Sequence, residues 1–197
     1  MNKTAVKLRV ADVSDARAIL DIYTPYIEKT AITFECHIPS LEEFQARISN
    51  TLPFFPYIVA VSEDKVVGYC YAVPFHVRDA FRWEVEISIY LDMEHRGEGT
   101  GRLLYDKMEQ ILKAQHFLSI YASIAGAEKY DEYLTDGSIK FHEHMGFHHV
   151  ASFPKCGYKF GRWYDLYWYE KVLGEHGEEI SEPVSFWDIK DQFFPEV

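Results

Sequence analysis

The chain has 197 residues, enough for one sizeable hydrophobic core and short for two. Hydrophobic residues make up 48% and aromatic residues 16%, which excludes a disordered chain, and no apolar run of about 18 residues or more is present to span a bilayer. With 20 basic against 31 acidic residues the formal net charge is −11, the wrong balance for neutralising many phosphates, so nucleic acid is excluded as a partner while a locally bound anion is not.

Residues 1–5 are followed by alternation with charges instead of an apolar signal core, and residues 7–10 read as a strand. Asp12 or Ser14 then caps a helix whose Ala16, Ile19, Leu20, Tyr23 and Ile27 fall at helical spacing. Ser40 through Glu43 has capping-box form and opens a second helix with Phe44 and Ile48 inward. Residues 57–61 and 66–73 read as two strands around a tight turn at Glu63 and Asp64. Residues 84–91 are a further strand. Cys36, Cys70 and Cys156 are an odd number with no CxxC spacing, so no disulfide frame or zinc site is indicated, and a cytoplasmic protein with reduced thiols is expected.

After the strand at 84–91 comes Arg96-Gly97-Glu98-Gly99-Thr100-Gly101, then a helical pattern from Arg102 to about Gln115 with Leu103, Leu104, Met108, Ile111 and Leu112 on one side. Three glycines in five positions let the backbone take positive φ and approach a ligand closely. Amides turned into one concavity, backed by the positive end of a helix, form a seat for an anion, most naturally a pyrophosphate. A P-loop would need Lys-Ser/Thr where Arg102-Leu103 stands, and the alternating glycines fail the G-x-G-x-x-G pattern. Downstream, residues 118–124 form a strand, 138–145 a helix stopped at Gly146, and 147–153 and 165–173 the last two strands. Strands and helices mixed in this order give one α/β layered domain. Residues 174–197, acidic and then aromatic, read as a tail docked on the domain or on a neighbouring subunit.

The pattern Arg-x-x-Gly-x-Gly resembles the coenzyme A loop of the GNAT N-acetyltransferase superfamily. Further pieces resemble its phosphinothricin and methionine sulfone/sulfoximine acetyltransferase group. These are Thr33-Phe34-Glu35 with Pro39, Gly68-Tyr69 through Pro74-Phe75, Arg78-Asp79-Ala80-Phe81, Trp83-Glu84-Val85-Glu86, residues 141–147 and residues 157–165. Their order and spacing span most of residues 7–173. The family usually has Asn where Thr135 stands here, the segment 126–136 is longer and more charged, and residues 174–197 have no counterpart. The resemblance implies a GNAT domain over 1–173 with a C-terminal extension over 174–197. It implies a mixed, mostly antiparallel twisted sheet, splayed at the acetyl-CoA strand, with helices on both faces. It also implies acetyl-CoA as co-substrate, no metal, a small-molecule amine acceptor and a homodimer.

Acetyl transfer from a thioester to an amine requires loss of the ammonium proton, stabilisation of an oxyanion and departure of a thiolate. Alternation gives Glu84, Glu86 and Ser88 one face, and Glu86 is the candidate base, its pKa raised by burial. The resemblance places His142 beside the departing sulfur, as an imidazolium acid or, alternatively, as the base with Glu86 holding substrate. It also implies a bulge that frees the Ile89 and Tyr90 amides for the oxyanion. Ile89 and Leu91 then contact the pantetheine arm, Arg96, Gly97, Glu98, Gly99, Thr100, Gly101 and Arg102 hold the pyrophosphate, and Ser138 adds a contact. Phe34, Phe75, Trp83 and Tyr158 can wall an acceptor site. Arg78 or Arg82 can hold a carboxylate, and Glu35 can attract the ammonium. His144, His148 and His149 are read as surface or structural, and no metal-ligand spacing completes around them. A small amino acid or its analogue is the leading acceptor. A polyamine, an aminoglycoside, a protein N-terminus or a non-catalytic acyl-CoA sensor are the other readings.

Overall fold

In the computed structural model, which describes residues 5–195, the first strand is β1 (Lys7–Val10), followed by helices α1 (Ala16–Lys29) and α2 (Leu41–Thr51). Strands β2 (Tyr57–Ser62), β3 (Lys65–Pro74) and β4 (Glu84–Leu91) lead to α3 (Thr100–Ala114). After β5 (Ser119–Gly126) and α4 (Gly137–His144) come β6 (His148–Lys159), β7 (Arg162–Val172) and the short α5 (Phe186–Ile189). The strands form one sheet in the order β1-β2-β3-β4-β5-β7-β6. All neighbours are antiparallel except β4 and β5, which run parallel because α3 carries the chain back between them.

Alternation sorts the side chains into two cores. On one face α3 packs Leu104, Tyr105, Met108, Ile111 and Leu112 onto Ile58, Cys70, Val85, Ile87 and Ile120. On the other, α1 and α2 pack Ile19, Tyr23, Phe44 and Ile48 onto Tyr57, Val59 and Tyr69. Each such buried aliphatic side chain contributes about 1.5–3 kcal/mol, so helix position is fixed mainly by these contacts. The tight turn at Glu63 and Asp64, φ 49° and 61°, joins β2 and β3. Phe160 and Gly161, φ 52° and 75°, make the same left-handed turn between β6 and β7.

β6 runs to Lys159 where the sequence pattern stops near 153, because register shifts after His149 and Phe153 interrupt its alternation. Asp165 secures the second shift by accepting from the Lys155 amide at 2.7 Å. The charged stretch 126–136 folds onto β7: Asp131 and Glu132 both pair with Arg162, and Tyr164 donates to Asp131 at 3.0 Å. The tail docks on its own domain. Phe186 is fully buried in the α3-side core, its amide donates to the Phe54 carbonyl, and the buried Gln115 amide group donates to the Phe54 and Val184 carbonyls.

Candidate active site

Pairing between β4 and β5 covers only Glu84–Ser119, Val85–Ile120 and Glu86–Tyr121. Beyond Glu86 the two strands part, while β4 keeps an unbroken register with β3 as far as Leu91. The resulting cleft is lined by residues 87–90 on one side and 122–125 on the other, with Tyr105, Ser138 and His142 behind it. The expected bulge in β4 is absent, and the splay itself frees the backbone. Trp83 accepts through its carbonyl from Leu118 on the β5 side, and Glu84 accepts from Phe75 on the β3 side. Alternation without a bulge therefore turns the Ile89 amide into the cleft and the Tyr90 amide toward β3. This removes Tyr90 as an oxyanion donor and leaves Ile89. At Leu91 the strand edge is closed: its amide donates to the Tyr26 hydroxyl at 3.1 Å and its carbonyl accepts from the same hydroxyl at 2.6 Å, so its backbone is not open to a pantetheine arm.

Glu86 sits at the vertex of the cleft on the α1–α2 face, where Ser123 donates to its carboxylate at 2.5 Å. Burial pushes the Glu86 carboxyl above the usual carboxylate range, and the Ser123 hydrogen bond draws it partly back. His142 approaches from the opposite, α3–α4 face and is buried, its Nδ1 2.7 Å from the Ser138 carbonyl and its Nε2 2.8 Å from the Tyr105 hydroxyl. A carbonyl only accepts, so the proton is on Nδ1, and the neutral ring takes the Tyr105 proton at Nε2. Burial lowers the pKa of His142 to about 4, so the imidazolium acid expected from the sequence is not the resting state. Tyr105, invisible in the sequence among the apolar positions of its helix, is the added member of this group.

At the mouth of the cleft Gly97 and Gly99 have φ 75° and 92°, and Gly99 stands at the N-terminus of α3. No L-residue with a β-branched side chain adopts such angles without strain. Arg96 lies over the Tyr26 ring at 4.8 Å with its Nε donating to that hydroxyl, and Arg102 donates to His144 at 2.6 Å. Glu98 lies in the turn, and Thr100 and Gly101 open α3. An open strand edge, left-handed glycines, a helix N-terminus and two arginines are the elements that binding a long anionic thioester carrier calls for.

The acceptor residues expected from the sequence separate into two sets. Phe75 stacks on Tyr121 at 4.3 Å and meets Trp168 edge-on at 5.3 Å, beside Glu86. Arg78 stands on the exposed loop between β3 and β4, and its guanidinium has no polar partner among the described residues. Arg82 is committed: Nε and Nη2 donate to the two Glu182 oxygens at 2.7 and 2.8 Å. Trp83 donates its indole N–H to the Ser181 carbonyl at 2.9 Å and stacks under Arg82. Glu35 is paired with Arg47 at 2.9 Å, not held free for an ammonium. Phe34 lies across Gly157, where an added Cβ would come within 2.5 Å of its ring. Tyr158 is 58% exposed near the tip of the β6–β7 hairpin, its ring tilted against Trp163, and β5 and β7 separate its strand from β4. Among the described residues no cluster of His, Cys, Asp or Glu could hold a metal ion.

Residues 8–168 match the acetyltransferase (GNAT) domain family. The chain is 30% identical to a phosphinothricin N-acetyltransferase of Streptomyces viridochromogenes over 84% of this chain and 87% of that protein. It is also 30% identical to an L-methionine sulfoximine/L-methionine sulfone acetyltransferase of Salmonella typhimurium, over 86% of this chain and 95% of that one. The crystal structure of a phosphinothricin acetyltransferase from Sinorhizobium meliloti in complex with acetyl-CoA superposes with a TM-score of 0.81 at 34% identity, covering 91% of this chain and 95% of that chain.

Proposed function

The chain belongs to the GNAT acetyltransferase family and is an acetyl-CoA-dependent N-acetyltransferase, and from that premise we propose that it acetylates the primary amine of a small amino acid or amino-acid analogue of the phosphinothricin or methionine sulfone/sulfoximine type. The observation that carries this reading is the vertex of the β4–β5 cleft, where a half-buried, Ser123-bonded Glu86 faces the side not filled by α3 and α4. Acetyl-CoA supplies the activated acetyl group. The residues suited to hold it are the open edge of β4 at Ile89, the loop of Gly97 to Gly101 with Arg96 and Arg102, and Ser138 at the start of α4.

Glu86 takes the proton from the incoming ammonium, directly or through water, and its raised pKa makes it a better base near neutrality than an exposed carboxylate. The Ile89 amide, fixed in the strand, is aimed where negative charge develops on the carbonyl oxygen. On the far wall, neutral His142 held between Ser138 and Tyr105 excludes water and offers a preorganised polar surface to the departing sulfur, whose ordinary pKa of about 8.5 demands only modest help. Arg78 is the arginine left to hold an acceptor carboxylate, since Arg82 is taken by Glu182.

Two coarser features join this reading. On the α1–α2 face of β7 and β6, Trp168 and the half-exposed Phe153 lie uncovered by any helix, a surface suited to a second copy in a homodimer. Cys36, Cys70 and Cys156 are all free thiols, in keeping with the reduced thiols of a cytoplasmic location.

The test is release of free thiol from acetyl-CoA with a panel of amines, led by methionine sulfone, methionine sulfoximine and phosphinothricin, with polyamines as competitors. Turnover confined to the amino-acid set is expected. Preferred turnover of polyamines would transfer the assignment to them, and thiol release with no amine at all would overturn it.

A further inference from the structure

Residues 174–195 lie beyond the matched family domain, which ends at residue 168. They meet three consecutive residues at the entrance to β4. Glu182 grips Arg82 through both carboxylate oxygens, at 2.7 and 2.8 Å. The Ser181 carbonyl accepts from the Trp83 indole at 2.9 Å. His176 Nε2 lies 3.5 Å from the Glu84 carboxylate. Two residues farther along the same strand is Glu86.

We propose that this strap positions the loop between β3 and β4 for the amine acceptor, and that Glu182 is the positioning residue through which it acts. The proposal rests on the reading above, in which that loop presents Arg78 to the acceptor.

The loop has little to hold it otherwise. Residues 76–82 are all exposed, and Phe81 meets Phe75 and His76 only at the loop's other end. An isolated exposed ion pair would fix nothing, because side-chain entropy offsets it. Here both partners are held in advance. Arg82 lies flat on Trp83, with its guanidinium carbon 4.0 Å from the ring centroid. Glu182 is anchored by its own carbonyl, 3.0 Å from His116 Nδ1. Behind it, Val184 pairs with Gln115 through both of its own backbone groups, its amide donating to the Gln115 carbonyl and its carbonyl accepting from the Gln115 side chain, and Phe186 is sunk in the core. The strap is therefore rooted in the same core that carries α3, and a bidentate charged contact transmits that rigidity to the loop. Glu182 touches neither the cleft nor the candidate base, so it acts through Arg82.

The experiment compares wild type, Glu182→Ala and the charge-swapped pair Arg82→Glu with Glu182→Arg in the full chain. Three readouts apply: hydrogen exchange of amides 76–83, acetyl-CoA affinity by calorimetry, and steady-state kinetics with the best amine of the panel. For Glu182→Ala the expected result is at least a several-fold faster exchange of those amides, a KM for the amine raised roughly tenfold as for loss of one charge-assisted contact, and acetyl-CoA affinity and kcat unchanged within about twofold. The swapped pair restores KM. Unchanged exchange overturns the strap proposal whatever the activity. Faster exchange with unchanged KM in an active enzyme also overturns it, leaving the acetyltransferase reading intact. A wild type inactive on every amine overturns the acceptor reading instead, and with it the role given to the loop.

Discussion

The hydroxyl of Tyr105 lies 2.8 Å from Nε2 of His142, and the proton between them belongs to the tyrosine. The Ser138 carbonyl at Nδ1 forces that assignment, and it makes His142 a neutral group held in one tautomer. The two candidate catalytic side chains thus reach the cleft from opposite faces of the sheet in different states. Glu86 gains a proton more readily than an exposed carboxylate, and His142 gains one far less readily than an exposed imidazole.

This state of His142 has a consequence for stability. Its pKa is lowered from 6.5 to about 4 by burial, so between those values the unfolded chain binds a proton that the native one does not. Stability is fully present above pH 6.5 and is lost as pH falls toward 4, by roughly 3 kcal/mol at about 1.4 kcal/mol per pH unit. Urea unfolding of wild type and His142→Gln at pH 7 and 4.5 measures it. The pH-dependent loss is expected to be smaller in the variant by about that amount, and equal losses would contradict the buried neutral ring. Tyr105→Phe, which strips the donor from Nε2, is expected to cost about 1–3 kcal/mol at pH 7.

Glu86 carries the opposite sign. Its folded-state pKa is raised, so its contribution to stability is present below the ordinary carboxylate pKa and is lost as pH rises through the raised value. Glu86→Gln is therefore expected to fold at least as stably as wild type at pH 7 and to gain nothing at pH 3. As a base it is needed unprotonated, so kcat/KM for the amine falls on the acid side as the carboxylate is protonated. The substitution is expected to lower kcat on the order of a hundredfold or more while acetyl-CoA still binds. A variant of wild-type turnover would remove Glu86 from the chemistry.

Gly99 tests the mouth of the cleft. Its φ is 92° and an added Cβ meets no atom within 4 Å, so a side chain there fits in space and fails in backbone angle. Gly99→Val is expected to cost about 1–2 kcal/mol in strain and to turn the loop's amides away from a diphosphate. Calorimetry with acetyl-CoA is expected to give heat with wild type and none with Gly99→Val, both folded by circular dichroism. Equal binding would show that the loop's left-handed turn does not shape the cofactor seat.

What the sequence disclosed depended on how local the cause was. The strand, glycine turn and helix from 84 to about 115 were legible because alternation, glycine and helical spacing all act within a few residues. The β6 strand was cut short at 153 because its register shifts destroy the period that reveals a strand. Tyr105 was hidden because a tyrosine in a helix's apolar stripe reads as core, and its partner lies 37 residues away. Arg82 looked available for a carboxylate because its actual partner, Glu182, is 100 residues distant and no local pattern announces it. The expected bulge at Ile89 and Tyr90 was an inference from likeness, and the regular register of β3 with β4 replaces it with strand parting.

Arg78 offers the sharpest test of acceptor class. Its guanidinium has no polar partner among the described residues, and Phe75, the neighbour three residues back, stacks on Tyr121 beside Glu86. An amino-acid acceptor brings a carboxylate that a guanidinium binds through paired N–H groups, worth about 1.5–3 kcal/mol for a charged hydrogen bond. Arg78→Ala is therefore expected to raise KM for methionine sulfone by roughly tenfold to a hundredfold, with kcat nearly unchanged. The amide of the same compound, which lacks the negative charge, is expected to lose less than threefold. If acid and amide suffer alike, Arg78 does not read the carboxylate, and the loop that carries it does not set the preference for amino acids.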